Sequence, residues 1–429
     1  MILVAALILV VMALLGAPLF AVLLGAAGLA YYGMDVDLSV LHIDVYQLSD
    51  SVVLMALPLF TFAGFLLSES RTADRMLRVS QAAFGWMPGG LALVALSACA
   101  LFTALTGGSG VTIVALGGLL LPALLKAGYP GRFGTGLITT SGSLGLLLAP
   151  SVPLLIYGII AQQMSQQLDM PSVEIVDLYI AGVMPALLMI VLLYGYCLWA
   201  LRGETIPRQA FSWRELGAAL WQARWELPLP LVVLGGVFSG LLVISEAAAV
   251  TALYVLIVEV LVYREIPLRR LPSIMRESMV MVGGILLILA VAMSFTGALV
   301  YANVPSALFD FMQEHVSSPL TFLILLNIVL LVLGAVLDIF AALVIMVPLL
   351  LPVAVGYGID PVHLGIIFVA NMQIGYFTPP VGMNLFVASY RFKQPITELY
   401  RSTIPFMFVL ILALLVITYV PALSLYWVR

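Results

Sequence analysis

Charge is what this 429-residue sequence lacks most: only 9% of its residues are Asp, Glu, Lys or Arg. A soluble domain carries about 25%, so this chain cannot clothe a water-facing surface. It holds 3 histidines and 2 cysteines. Cys99 and Cys197 each lie in an apolar stretch without metal-ligand spacing, which reads as two buried structural thiols. No basic tract is present and the net charge is −4, so nucleic acid is not an expected partner. Neither a Walker A motif nor H-E-x-x-H occurs, and Gly107-Gly108-Ser109-Gly110-Val111 fails G-x-S-x-G at its last position. His42, His315 and His363 fall near predicted span ends, are read as interfacial, and leave no base to activate a serine in the core. An enzyme is therefore not expected.

Apolar sequence is what the chain has, at 63% of residues and a mean hydropathy of +1.19. Runs of 18 or more apolar residues, the length that crosses hydrocarbon, recur throughout. Glycine (36) and proline (24) sit inside them, as membrane helices allow when neighbours re-satisfy the freed backbone groups. The expectation is an all-α polytopic membrane protein that moves a small solute. The first 32 residues read either as one long kinked helix or as a tight pair turning at Gly16-Ala17-Pro18.

The few basic residues set a topology. They cluster at Arg71, Arg75 and Arg78, at Lys126 and Arg132, at Arg202, Arg208, Arg214 and Arg224, at Arg264, Arg269, Arg270 and Arg276, and at Arg391, Lys393 and Arg401. Three other connections carry only acids: 33–50 (Asp35, Asp37, Asp44, Asp50), 161–180 (Asp169, Glu174, Asp177) and 300–318 (Asp310, Glu314). Lys and Arg concentrate in cytoplasmic loops, which places the basic groups inside and the acidic loops outside.

Two stretches then start and end on one side. Val79 to Leu125 contains no charged residue, and Val316 to Ile359 contains only Asp338, at its centre. Each is either a pair of full helices or a re-entrant hairpin whose tip stops at mid-membrane, where irregular backbone is tolerated only inside protein or against a cavity. The two are related at an offset of 230 positions, which pairs Pro122 with Pro352, Gly128 with Gly358, Gly145 with Gly375 and Pro150 with Pro380, and sets Gly108-Ser109 opposite Asp338-Ile339. The first unit enters from inside and the second from outside, an inverted-topology repeat of the kind found in secondary transporters. The breaks LLAPSVP (147–153) and FTPPVG (377–382) mark two interrupted helices, since proline removes a donor and glycine loosens the helix.

The segments LPLFTFAG (57–64), LLLPALLKAGYPGRFGTGLITTSGSLG (119–145), SEAAAVTALY (245–254) and DPVHLGIIFVANMQIGYFTPPVGMNLFVAS (360–389) resemble the large membrane subunit of tripartite ATP-independent periplasmic (TRAP) transporters over nearly the whole chain. The resemblance implies an elevator-type carrier in the bacterial inner membrane, driven by sodium. It implies two partners, a small four-helix membrane subunit and a periplasmic substrate-binding protein, and an organic acid such as a C4-dicarboxylate or sialic acid as solute. The chain departs from the family at Thr106-Gly107-Gly108-Ser109-Gly110, where a Ser-Gly-Ser-Ser-like tip is usual, and at Ala149-Pro150, where a double proline is common.

On this reading residues 1–50 form one or two scaffold spans. Residues 51–178 form a first repeat with hairpin 79–125 and broken helix 133–160. Residues 179–276 hold scaffold helices and an interfacial amphipathic segment bearing Trp213, Trp221 and Trp225. Residues 277–403 form a second repeat with hairpin 316–359 and broken helix 362–390, and 404–429 a last span. Candidate ion and substrate residues are Thr106, Gly108, Ser109, Gly145, Ala149, Pro150 and Ser151 in the first repeat. In the second they are Gly334, Asp338, Gly375, Thr378, Pro379, Pro380, Gly382 and Asn384. Na⁺ is placed near Ser109 and near Asp338, because hydroxyls, carbonyls and a carboxylate are hard oxygen donors; no other cofactor is expected. An acid in mid-membrane is functional by default, its alternative being a helix cap. Glu246, in the short turn between two spans, reads equally as a cap or scaffold residue and as a transport residue, and is left out of the site. The rivals are a channel, which needs a continuous polar path, and a stand-alone sodium–carboxylate symporter of similar repeat architecture.

Overall fold

A computed structural model describes residues 2–49, 52–168, 170–203, 210–316 and 318–428. The topology markers Asp50, Asp169 and Arg208 lie outside the described residues. Every regular element among the described residues is helical, as a chain that must satisfy its own backbone in hydrocarbon requires. Among the described residues seven helices are long and apolar enough to cross a membrane.

At the N-terminus α1 (Ile2–Leu14) and α2 (Leu19–Gly33) form the tight pair. Gly16 turns between them at φ +82°, and Gly25 of α2 lies so close to Leu9 that a Cβ would meet its Cδ2 at 2.6 Å. After α3 (Ser39–Ser49) come α4 (Ala56–Glu69) and α5 (Thr72–Phe84). The latter is amphipathic, burying Thr72, Ala73, Met76 and Val79 on one face. Hydropathy gave 79–84 to the first hairpin; the structure gives it to α5, and the hairpin begins at Gly90. It consists of α6 (Gly90–Thr106), α7 (Ser109–Ala115) and α8 (Gly117–Lys126), with a 49° bend between the last two. The first broken helix is α9 (Gly131–Ser141), a short 3-10 turn (Leu144–Leu147) and α10 (Val152–Leu168). Helices α11 (Ile175–Ala181), α12 (Val183–Ala200), α13 (Trp213–Gln222), α14 (Pro228–Phe238) and α15 (Ile244–Leu256, continued as a π-turn Ile257–Val262) follow. Glu246 caps α15 by accepting from the Val243 N–H at 3.0 Å.

The second half runs α16 (Leu271–Tyr301), α17 (Val304–His315), α18 (Pro319–Val336), α19 (Ile339–Gly356), α20 (Pro361–Gly375) and α21 (Met383–Phe392), closing with α22 (Ile396–Tyr419) and α23 (Ala422–Leu425). The offset of 230 recurs in its element boundaries. Helices α6 and α18 end at Thr106 and Val336, α7 and α19 begin at Ser109 and Ile339, α8 and α19 end at Lys126 and Gly356, and α9 and α20 begin at Gly131 and Pro361. Gly128 and Gly358 close the hairpins at φ +85° and +77°, and the peptide bonds Ala149–Pro150 and Pro379–Pro380 are both cis. Each limb of the second hairpin has 18 residues, about 27 Å of helix, enough by length to cross the hydrocarbon.

One close crossing in each half holds the hairpin to its broken helix. A Cβ on Gly145 would lie 2.3 Å from Ala100 O and 2.5 Å from Ala104 N. A Cβ on Gly375 would lie 2.5 Å from Gly334 Cα, and Gly334 is 230 positions beyond Ala104. Backbone meets backbone at both, so neither neighbour can give way. Gly375→Ala should therefore destabilise the protein by about 1–3 kcal/mol through overpacking. Gly283→Ala, on open helix surface, should be neutral or stabilising by about 0.5–1 kcal/mol. Thermal unfolding of the two purified variants checks the contrast; equal shifts would dismiss the tight crossing.

Candidate transport site at the helix breaks

Thr106 ends α6, Gly107 at φ +70° turns the chain, and Ser109 starts α7. This first tip touches both broken helices. A Cβ on Gly107 would sit 3.0 Å from Val152 of α10, and Ser109 Oγ donates to Asn384 Oδ1 of α21 at 2.9 Å. Ser109 and Asn384 are both buried, and Asn384 Nδ2 has no partner among the described residues.

The second tip is tied to the second break by backbone. Gly382 N donates to Ala335 O at 2.8 Å, and Asn384 N to Tyr376 O at 2.8 Å. Ile339 N donates to the Tyr376 hydroxyl at 3.0 Å. Asp338 caps α19: its Oδ1 accepts from Phe340 N at 2.9 Å and Ala341 N at 3.0 Å. Asp338 is half-buried at the turn between the two limbs, so the cap and the mid-chain carboxylate are one residue.

The remaining hydroxyls bond locally. Thr106 donates to Phe102 O (2.9 Å), Thr378 to Ile374 O (2.8 Å), and Ser151 back across its break to Leu146 O. A hydroxyl has one donor and two acceptor lone pairs, so each still offers oxygen to a cation. The first break, Ala149-Pro150-Ser151, is buried, and Gly182 packs on it so closely that a Cβ would meet Leu147 O at 2.0 Å. At the second break Thr378 and Pro379 are half-buried and Pro380 is exposed. Between the two halves Ser143 Oγ donates to Gln373 O at 3.1 Å, joining two positions that are themselves 230 apart. Thr140 Oγ1, Asn371 Oδ1 and Gln373 Oε1 are buried there without partners among the described residues. No group of three or more His, Cys, Asp or Glu among those residues is arranged to hold a metal ion. The donors these tips and breaks offer are carbonyls, hydroxyls and one carboxylate, a set suited to a hard monovalent cation.

Sequence reasoning missed two features. Tyr376 lies inside the quoted motif yet was not singled out, and its hydroxyl joins the second break to the second tip. The other is a charge cluster. Arg75 of α5 is 9% exposed and pairs with Glu226 (1%), Glu259 (0%) and Glu265 (19%). Its Nη2 lies 3.3 Å from Glu259 Oε2 and its Nη1 2.5 Å from Glu265 Oε1, while Nε donates to Glu226. The guanidinium also lies 4.1 Å over the Tyr263 ring. Glu259 within the apolar run 246–262 was the available signal. The histidine reading needs one correction: His363 is 3% exposed and contacts Ser424 Oγ and Thr418 O at 3.2 Å each. It ties α20 to the C-terminal helices and is buried in protein instead of facing lipid or water. Cys99 and Cys197 are buried free thiols.

Paired hairpins, paired broken helices and seven candidate spans among the described residues define a multi-pass membrane protein with the architecture of a transporter. Residues 6–423 match the family described as tripartite ATP-independent periplasmic transporter, DctM component, and the chain belongs to it. It is similar to the C4-dicarboxylate TRAP transporter large permease proteins DctM of Pseudomonas aeruginosa (36% identity; 90% of this chain, 88% of that one) and Rhodobacter capsulatus (39%; 87% and 86%). It is also similar to the ectoine/5-hydroxyectoine TRAP transporter large permease protein UehC of Ruegeria pomeroyi (30%; 97% and 96%). Among solved structures, the Alcanivorax borkumensis YdaH transporter shares the fold at a TM-score of 0.61, with 16% identity over 86% of this chain and 84% of that one.

The Arg75 cluster gives a stability test with a sign. Burial raises the Glu226 carboxyl above its usual range even with Arg75 pulling it back. An acid whose folded value is raised contributes stability that is present below the unfolded value and lost as pH rises through the folded one. Arg75→Ala removes the opposing cation and strands the carboxylates, a loss on the order of 3 kcal/mol. The drop in melting temperature should be larger at pH 8 than at pH 5. A drop independent of pH would show that the carboxylates are not stranded.

Proposed function

We propose that the chain is the membrane carrier of a sodium-coupled importer of a small organic acid across the bacterial inner membrane. A periplasmic binding protein delivers the solute, and a small four-helix membrane subunit completes the assembly. The observation that carries this reading is the first tip, held between both broken helices by Gly107 against Val152 and Ser109 against Asn384. It is supported by membership of a family described as tripartite. That description also disfavours the stand-alone symporter.

In this proposal the tips are re-entrant, and each helix pair moves with its broken helix as one body, the elevator motion. The backbone crossings at Gly145 and Gly375 support a rigid unit, because they leave no room for sliding. Na⁺ would be held at the first tip by Ser109 with carbonyls around Thr106, Gly108, Gly145 and Ala149. At the second it would be held by Gly334, Gly375, Thr378 and Asp338. A bound cation there supplies positive charge for a carboxylate solute. The buried Asn384 Nδ2 supplies an unspent donor facing the first tip, and Gly382, at φ +51°, sets the start of α21 that carries it. The organic acid is favoured by the relatives at 36% and 39% identity, named for C4-dicarboxylates; the one at 30% is named for ectoine.

Two measurements test this. In proteoliposomes containing the assembled transporter, a C4-dicarboxylate should enter under an inward Na⁺ gradient and not under an equal K⁺ gradient; equal entry defeats sodium coupling. Asp338→Asn keeps the capping oxygen that receives Phe340 N and Ala341 N but removes the charge. It should keep folding intact and shift the uptake curve to higher Na⁺, about tenfold for a loss of about 1.4 kcal/mol in ion binding. A wild-type sodium curve would reduce Asp338 to its cap.

A further inference from the structure

The returning limb of the first hairpin bends by 49° between α7 and α8, whereas its counterpart in the second, α19, runs unbroken from Ile339 to Gly356. Proline does not explain the difference. Pro122 withholds a donor from the carbonyl four residues before it, but Pro352 stands at the same place in α19, with Pro348 besides. The bend falls at Leu116-Gly117-Gly118, and the residues 230 positions beyond the two glycines are Val347 and Pro348.

What lies against the bend differs in the opposite sense. Helix α21 runs alongside α7 and α8. Its Asn384 accepts from Ser109 Oγ, its Val387 would touch a Cβ on Gly110 at 3.5 Å, and its Arg391 Nε donates to Val114 O at 2.8 Å. Spaced i, i+3 and i+7, the three share one face of α21. At the bend a Cβ on Gly118 would fall on Arg391 Nη2 and lie 2.7 Å from its Cζ, and one on Gly117 would lie 3.0 Å from Phe392 Cζ. The residues 230 positions before Arg391 and Phe392 are Ala161 and Gln162 of α10, the helix that packs against α19. Bulk on the broken helix thus stands opposite glycine in one half only. Arg391 is exposed and makes no ion pair among the described residues. A carbonyl and the space over Gly118 hold it in place of an opposite charge, so it contributes shape and one hydrogen bond. A glycine pair with a side chain inserted beside it is a sufficient cause of a sharp bend.

We propose that Arg391 and Phe392 are positioning residues for transport: wedged at Gly117-Gly118, they set the bend and so the direction in which α7 carries Ser109 to Asn384. Helix α7 has 7 residues. That is a lever of about 10 Å, over which a change of about 10° moves the tip by about 2 Å. The consequence for ion binding rests on the sodium reading of the first tip given above.

The test compares Arg391→Ala, Gly118→Ala and the two combined. Uptake of a C4-dicarboxylate by the assembled transporter in proteoliposomes is followed against Na⁺. Hydrogen–deuterium exchange of residues 106–118 is followed in the same assembly without sodium or solute. Each single variant should raise the half-saturating Na⁺ about fivefold with little change in maximal rate, and should speed exchange at the tip. Gly118→Ala acts by displacing the guanidinium, so in the combined variant it should add nothing to Arg391→Ala. Arg391→Lys, which keeps a donor for Val114 O, should fall between wild type and Arg391→Ala. Additive losses in the combined variant would make the substitutions independent defects and overturn the proposal. Unchanged exchange at 106–118, or a wild-type sodium curve in either single variant, overturns it as well. Wild-type uptake indifferent to Na⁺ would instead defeat the sodium reading, and the exchange cycle would still decide the positioning.

Discussion

Hydrocarbon offers no hydrogen bonds, so a helix can be interrupted inside a membrane only where protein takes over the freed backbone groups. The rest of this structure follows from meeting that demand four times. Gly382 N finds Ala335 O, Asn384 N finds Tyr376 O, Ile339 N finds the Tyr376 hydroxyl, and Phe340 N and Ala341 N find Asp338. Two of these bonds, Gly382 to Ala335 and Ile339 to Tyr376, draw the second tip against the second break; the other two close the break and the tip on themselves. Glycines at 145, 334 and 375 are the steric condition for that approach, because any side chain there would occupy the space of the neighbouring backbone. The polar groups gathered at the tips and breaks are thus the by-product of a packing requirement: what a broken helix cannot bond internally, it presents.

The two halves meet the demand with different chemistry. The first tip carries no charge and relies on Gly107, Ser109 and the carbonyls that end α6, and its broken helix is sealed beneath Gly182. The second carries Asp338, and its break opens at Pro380. The amphipathic helices that introduce the hairpins differ as well. Helix α5 is pinned by Arg75 among three carboxylates, whereas the residue 230 positions beyond Arg75 is Pro305 of α17. Helix α17 instead lays Phe309 against Tyr357 of the second hairpin, ring centroids 5.7 Å apart. Repetition fixed the backbone path, and the side chains then diverged.

The backbone path was legible because glycine and proline are sparse landmarks with steric meaning. Gly128 and Gly358 need the left-handed region, and Pro150 and Pro380 need a break, so an offset built on them carried over to helix boundaries they never touched. Side-chain partnerships were less legible. Asp338 stood out because its neighbours are all apolar, yet its two N–H partners depend on where α19 begins. Glu259 was equally isolated but escaped notice, because hydropathy averages it away, and its partner Arg75 is 184 residues distant. His363 looked terminal in sequence and is interior, because α23 folds back to cover it. The start of the first hairpin was misplaced for a related reason: Val79 to Phe84 lacks charge, but it completes an amphipathic helix whose charged residues lie earlier, at Arg75 and Arg78.

Asp338 shows how a capping residue can keep an acceptor in reserve. A carboxylate has two oxygens, and here both N–H groups fall on Oδ1. Oδ2 accepts no hydrogen bond among the described residues, so half of the group's acceptor capacity is unspent at a half-buried turn. The capping bonds fix the rotamer and hold that second oxygen in place without consuming it. The start of α19 also places the positive end of the helix dipole beside the carboxylate. At the first tip Ser109 solves the same problem with less charge: its hydrogen is spent on Asn384, and its lone pairs are not. In both cases the bond that builds the tip orients the oxygen that remains. The structural bond and the reserved acceptor at these positions are therefore distinct, and substitutions that keep the first while removing the second can separate them.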